Sequence, residues 1–471
     1  MGAQPAAVSA RSSEIAGIVE DRFDRYLERI RELCRMPSVS ATGQGIRPTA
    51  EAVAGLIEEA GGRAELTETP GNPVVLGEVT GPPDAPRLAK YGMYDVQPAE
   101  EPDWSSPPFA AEILELGGVG PAVVGRGIAN SKGSLVAFFC ALDALGAIGE
   151  VPASIAFFIE GEEELGSPHL GEVVRTHADD LAAEAGVDFD LYGDRSGGAD
   201  LVLGCKGLLS LELSCRSGDW GGPARSLHSS EAAWIASPVW ALVHALASLM
   251  GPDQELLVES LVAGTRGPTS EDRALLEELA SSFDPYEHLE EVGAARYKLG
   301  GSRADLLEAL IFRPTVNIDG LEAGYTGPGE KTIMPDRARA LLDVRLVPDL
   351  DPGGALAAIR EHLDRAGLGH VEARETSSYL WAKADPDSAV ARAMRTSYQR
   401  LGRRPLPYPL APWCAPFHVF DRILRIPWAS GGLGLSGGAH GPDEFASVEG
   451  LKEHILGVAQ FLLAFAEEAG R

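Results

Sequence analysis

Four short stretches carry side chains able to do chemistry. In "FFIEGEEELGS" (157–167) an apolar run ends in three successive carboxylates, Glu162, Glu163 and Glu164. Charges so close repel one another unless water surrounds them or a cation neutralises them. A solvated acidic turn is the plain alternative. "AVVGRGIANSKGS" (122–134) supplies a glycine-permitted turn leading into a helix, with Arg126 and Lys132 as nearby cations. "LYGDRSG" puts Asp194 at the end of a strand, and "GAHGPDEF" puts His440 on a glycine-rich loop. Carboxylates and an imidazole converging from separate loops are the parts of a divalent-metal site or of a general acid and base pair. Each stretch by itself reads more readily as structure than as catalysis.

The elements that must position these groups follow from periodicity. Residues 12–34 predict an amphipathic helix, with Ile15, Ile18, Val19, Phe23, Tyr26, Leu27 and Ile30 at helical spacing. A second helix covers 48–61 and stops at Gly61-Gly62. "NPVVLGEVT" and "PRLAKYGMYDV" read as strands, "SLVAFFCALDALGAI" as a buried helix, and "ASIAFFIEG" as a strand running into the acidic loop. This alternation predicts an α/β layer with helices packed on a sheet, and sites in such folds gather beyond the carboxyl ends of strands. Near residue 207 the texture changes. "KGLLSLELSCRSG" and "RARALLDVRLVPDLDP" are strand patterns, while "SPVWALVHALASLMG" and "PGGALAAIREHLDRAG" are helices, a composition suited to a separate α+β module. Beyond residue 382 come a helix, the proline-rich "PLPYPLAPWCAPF", the glycine-rich "SGGLGLSGGAHGPDEF" and a final amphipathic helix. The predicted organisation is a catalytic domain of mixed sheet and flanking helices from 1–208 and 382–471, with an α+β module at 209–381 inserted into it.

Composition narrows the function classes. The 471 residues are 45% hydrophobic and 23% charged, enough for one large core and a second smaller one. A formal net charge of -29 repels phosphate backbones and anionic membrane surfaces, so nucleic acid and membrane are excluded as partners. The five cysteines, Cys34, Cys140, Cys205, Cys215 and Cys414, are scattered without a CxxC pair, which argues against a disulfide framework or a thiolate zinc site. A cytoplasmic setting fits that usage. The first thirty residues lack the apolar core of a signal peptide, and no apolar run is long enough to span a bilayer.

Taken in order, the motifs resemble the carnosinase and aminoacylase type of dinuclear zinc peptidase over nearly the whole chain. "YDVQP" followed by "W..PPF", "GRG...KG", "EGEEELGS", Asp194 after a strand, "LHSS", "TVNIDGLEAGYTGPGEKTIMP", "DVRLVP" and "AHGPDE" occur in that family's order. The resemblance implies a catalytic domain holding two metals and a smaller lid that also dimerises, so a homodimer is the implied partner state. It further implies Glu163 as general base, Glu164 and His440 as ligands of one metal, and Asp194 as ligand of the other. Asp95 would orient a histidine two residues before it.

Two positions depart from the family. Met93 stands where that histidine belongs, and a neutral thioether is poorly matched to zinc, manganese or cobalt among oxygen ligands. In the family's GRG-x-x-D-D-K-G the bridging aspartate precedes a second aspartate; this chain reads Asn130 and Ser131. Asn130 offers one neutral carbonyl oxygen and no charged bridge. The implied cofactor is therefore none or one divalent metal, zinc or manganese, with Glu164, Asp194, His440 and the Asn130 oxygen as its available donors. Without a cation the crowded carboxyl groups must hold at least one proton, and His440 gains a reason to be charged.

The resemblance also marks a substrate shell. His228 matches a lid histidine that stabilises the developing oxyanion in a partner subunit's site, and Arg345 and Asn317 match groups that hold a substrate's carboxylate and carbonyl. A guanidinium suits a carboxylate because it donates two parallel hydrogen bonds. At 409–420 the family's Gly-Gly-Ser or Gly-Gly-Thr loop is replaced by "PLAPWCAPFHVF", where Trp413, Cys414 and Pro416 predict a bulkier wall. Cys414 reads either as a nucleophile or as an inert thiol. Three functions follow: an enzyme on a small amino-acid-derived or dipeptide-like substrate using Glu163 without a metal pair, a conventional metal-dependent dipeptidase or amidohydrolase, and a catalytically silent binding subunit.

Overall fold

A computed structural model describes residues 3–149, 151–194 and 196–470. The chain first lays down β1 (Arg63–Thr67), β2 (Val74–Val79), β3 (Arg87–Met93), β4 (Glu112–Leu116), β5 (Gly120–Val124), β6 (Ser154–Glu160), β7 (Ala185–Phe189) and β8 (Gly198–Val202). It passes β9 (Gly204–Cys205) into β10 (Gly207–Arg216), β11 (Leu227–His228), β12 (Thr315–Ala323), β13 (Ile333–Met334), β14 (Arg337–Leu346) and β15 (Glu372–Tyr379). It returns at β16 (Ala382–Lys383) for β17 (Arg404–Tyr408), β18 (Trp428–Gly431), β19 (Ser436–Gly437) and β20 (Phe445–Ser447). Two compact units result. The first holds the residues up to Gly204, Lys383–Pro409 and those from Pro416 on, and the second holds Cys205–Ala382 with Leu410–Ala415.

The first unit is built on an eight-stranded mixed sheet in the order β1-β2-β6-β3-β7-β18-β8-β17. β6, β3, β7 and β18 run parallel at its centre, so their carboxyl ends reach the same edge. The central strands read as apolar runs because helices cover both faces. The helix Lys132–Ala147 is buried nearly all round. Its Phe138 and Phe139 pack edge-on or stacked against Phe157 of β6, with Phe138 also against Phe189 of β7. A second, four-stranded sheet in the order β19-β20-β5-β4 sits in the same unit and carries the two loops that matter for the site.

The second unit is an α+β layer with the sheet order β12-β14-β10-β15, all antiparallel. Strand alternation explains its one-sided core. Leu209, Leu211, Leu213 and Cys215 of β10 and Ala338, Ala340, Leu342 and Val344 of β14 face inward against the helices Pro238–Leu249 and Pro352–Arg365. No helix among the described residues is long and apolar enough to cross a membrane.

Candidate active site

The first unit gathers its reactive groups at the carboxyl ends of β3 and β6. Asp95 lies two residues past β3 and is fully buried. Its oxygens accept the backbone N–H groups of Glu163 (3.2 Å) and Glu164 (3.0 Å), so it fixes the tight turn Glu163–Leu165 that follows β6. That turn spreads the three glutamates in different directions. Glu162 turns to His169, whose Nδ1 lies 2.6 Å from Oε2. Glu164 turns the other way and is satisfied by Gln97 Nε2 at 2.8 Å on one oxygen and Asn130 Nδ2 at 2.9 Å on the other. The sequence expectation for Asp95, orienting an imidazole at position 93, gives way to this capping role because Met93 has no N–H to orient.

Asn130 is held by an unanticipated residue. Glu444 is wholly buried, and its Oε1 accepts from the backbone of Gly127, Ala129 and Asn130 at 2.9–3.0 Å. Its Oε2 takes Arg126 Nη1 at 2.8 Å. Antiparallel pairing of β20 with β5, Phe445 opposite Val124, brings Glu444 over the Gly125-Arg126-Gly127 turn. Gly127 is required there, at φ +85° and with Val96 Cγ1 only 2.7 Å from where a Cβ would stand. Arg126 and Lys132, read from sequence as cations near the carboxylates, are spent on structure. Arg126 binds Glu444 and backbone carbonyls, and Lys132 donates to the Met36 carbonyl at 2.6 Å.

His440 completes the cluster. Its Nε2 lies 2.9 Å from Asn130 Nδ2 and 3.1 Å from Glu164 Oε1, and the Glu164 carboxylate raises its pKa. Glu163 is driven the other way for an acid: burial first, then the charges of Glu164, Asp95 and Glu160, push its carboxyl well above the usual range. Burial likewise pushes Asp95 up to about 7 and Glu160 up to about 8. The crowding inferred from sequence is therefore present.

Asp194 is placed differently from the expectation. β7 ends at Phe189, five residues earlier, and the Asp194 carboxylate is taken up by its own turn, accepting from Ser196 N and Gly198 N at 2.7 Å each. The residue immediately past β7 is Asp190, and its Oδ2 is the carboxylate oxygen that reaches the Asn130–Ser131 segment, 3.1 Å from Ser131 Oγ. A signal for it exists in "VDFDLYGD", where a second acid, Asp190, follows the apolar strand directly and precedes Asp194 by four residues.

The second unit holds a polar cluster of its own. Arg345 Nε lies 3.2 Å from Asp343 Oδ1 and its Nη1 3.3 Å from Cys414 Sγ. Asn317 Nδ2 donates to Asp319 Oδ1 at 2.8 Å. Trp413 belongs to the same unit, its backbone carbonyl accepting from Lys206 N at 3.0 Å. His228 is exposed, with Nδ1 accepting from Ser230 N and Nε2 3.2 Å from Thr332 Oγ1. Lys206 was not anticipated. It is buried, donates to the Arg313 carbonyl at 2.7 Å, and burial beside Arg345 lowers its pKa to about 7.

The donor set does not fit a bridged metal pair. Met93 contributes a buried thioether, and Asn130 presents its amide nitrogen, a donor with no lone pair to give, to both Glu164 and His440. The single-ion arrangement using the Asn130 oxygen meets the same obstacle, since that oxygen is 3.0 Å from Ser131 Oγ and turned from Glu164.

Fold and site together define a two-unit α/β protein of the peptidase class, with its carboxylates at the strand ends of the larger unit. The sequence pattern of Peptidase family M20/M25/M40 matches residues 91–467, and the chain belongs to that family. Among solved structures, an M20 family metallo-carboxypeptidase from Sulfolobus solfataricus superposes with a TM-score of 0.85 at 31% identity, covering 94% of this chain and 99% of that one. Human carnosine dipeptidase 1 shares the fold, at a TM-score of 0.81 and 22% identity over 97% of this chain and 100% of that chain. Among curated proteins, a Beta-Ala-His dipeptidase of Rattus norvegicus is 29% identical over 304 residues, 63% of this chain and 58% of the rat protein. A Cys-Gly metallodipeptidase of Schizosaccharomyces pombe is 24% identical over 367 residues, 74% of each chain. The match thus spans less than two thirds of the rat protein's length.

Proposed function

We propose that this chain is an enzyme that cleaves the amide bond of small dipeptide-like substrates carrying a carboxylate, with Glu163 as general base. The reading is carried by one observation above others: the turn after β6 presents Glu163 with its backbone fixed by Asp95 and its carboxyl raised by burial beside Glu164. A general base works best when its carboxyl is raised from the ordinary glutamate range toward the pH at which the enzyme operates. The dipeptidase names of the relatives support the substrate class. In the reaction, Glu163 removes a proton from water as the water oxygen bonds to the carbonyl carbon. The same carboxyl then returns a proton to the amine nitrogen as the C–N bond breaks.

In this reading Arg345 binds a carboxylate and Asn317 a carbonyl, with Trp413 and Cys414 beside them in the second unit. His228, exposed on the second unit, serves the oxyanion in a partner copy of a homodimer. Turnover of a dipeptide panel that includes β-alanyl-histidine and cysteinyl-glycine tests the proposal. Glu163→Gln should lower kcat by about 10²–10⁴-fold with KM little changed. No turnover of any dipeptide, or a Glu163→Gln enzyme as fast as the parent, would sink it.

A further inference from the structure

We infer that the centre of the first unit is closed by the protein's own donors in place of a metal pair, the Asn130 and Gln97 carboxamide nitrogens holding the two oxygens of Glu164 that a cation would otherwise hold. The Glu164 carboxylate, which only accepts, determines which end of the amide is nitrogen. Asn130 Oδ1 lies 3.0 Å from Ser131 Oγ, and Ser131 Oγ is also 3.1 Å from Asp190 Oδ2. Nδ2 then lies 2.9 Å from both Glu164 Oε1 and His440 Nε2. Turning the amide over would set its oxygen 2.9 Å from a carboxylate oxygen of Glu164. Glu164 thus takes an amide N–H on one oxygen from Asn130 and on the other from Gln97, with the His440 imidazole 3.1 Å away, and needs no cation to be satisfied.

Three further features make the closure self-consistent. The Glu444 clamp on the backbone of Gly127, Ala129 and Asn130 fixes the amide's position. Gln97 fills the second oxygen of Glu164, so that carboxylate has neutral amide donors on both sides. Asp188, whose charge bears on Glu163, is paired with Lys90, a wholly buried side chain on β3 whose Nζ lies 3.2 Å from Asp188 Oδ1, with Ser430 Oγ 3.1 Å from the other Asp188 oxygen. A buried lysine on a strand is costly unless a charge meets it. Lys90 finds that charge in Asp188, one residue before the end of β7.

This inference deepens the reading of the same site and rests on its placement of Glu164 and His440, yet its test reads metal content and not turnover. The full chain is purified without chelator, assayed for zinc and manganese by elemental analysis, and titrated with each ion calorimetrically. The parent should carry well under one ion per chain and bind added Zn²⁺ weakly. Met93→His with Asn130→Asp should gain close to two ions per chain and a higher Tm in added Zn²⁺. Asn130→Asp alone should gain measurable Zn²⁺ affinity over the parent, which keeps the test sound should the double variant not fold. Two tightly held ions in the parent overturn the inference, as does a folded Asn130→Asp protein that binds Zn²⁺ no better than the parent. A metal-poor parent that cleaves no dipeptide leaves the inference standing and removes the hydrolytic reading alone.

Discussion

Glu160 shows how a single side chain in this centre stores a proton. Its Oε1 accepts from Tyr91 and Ser167, while Oε2 is buried with no partner among the described residues, the arrangement of a neutral acid and not of an anion. Burial, with Asp95 and Glu162 adding repulsion, places its pKa near 8. The sign follows from linkage. The native state holds this proton up to about pH 8, whereas the unfolded chain gives it up near pH 4.3, so the group's contribution to stability is full below that value and is lost as pH rises toward 8. Glu160→Gln cannot ionise. Urea unfolding at pH 5, 6.5 and 8 should show the variant gaining on the parent as pH rises, by at most about 1.4 kcal/mol per pH unit. An unchanged difference across that range would mean that Glu160 is ionised in the native protein.

At the scale of elements, the centre depends on two loops that meet through one carboxylate. β5 delivers Gly125-Arg126-Gly127 and β20 receives the chain from His440 to Glu444, and their antiparallel pairing brings Glu444 onto the backbone that carries Asn130. Removing that carboxylate leaves three backbone N–H groups and a buried guanidinium without it. Glu444→Ala should cost about 3–5 kcal/mol in denaturant unfolding, the range for breaking a buried ion pair from one side. A loss below about 1 kcal/mol would mean that the loop is held by its strands alone. The strands and helices here were readable in advance, since apolar runs such as "ASIAFFIEG" and "SLVAFFCALDALGAI" have one sensible burial each. The short β4, β5, β19 and β20 were not, because their pairing is set by glycine-rich loops with little periodicity.

Across the whole molecule, charge is the dominant property. With a formal net charge of -29 the folded chain repels itself, and added salt screens that repulsion. Raising NaCl from about 10 to 300 mM, over which the Debye length falls from about 30 to below 8 Å, should raise Tm; a Tm that falls with salt would place the ion pairs above the net charge in importance. The two units differ in how they bury surface. The first covers a mixed sheet on both faces, and the second covers an antiparallel sheet on one, which leaves Arg339, Glu212 and Glu322 on an open polar face.

The amino-acid order by itself determined the family, the alternation that builds the sheet, and the identity of most groups that could react, because these depend on residue type and on local periodicity. It also exposed the odd positions, Met93 and Asn130, since a thioether and an amide differ from an imidazole and a carboxylate whatever surrounds them. What only the tertiary structure decided was partnership: that Glu444 clamps the backbone of the Asn130 loop, that Asp190 reaches Ser131, and that the Asn130 nitrogen faces Glu164 and His440. The physical reason is that a hydrogen bond has a direction and a length, and both are set by segments from 34 to 314 residues apart in the chain that meet only when the sheets close.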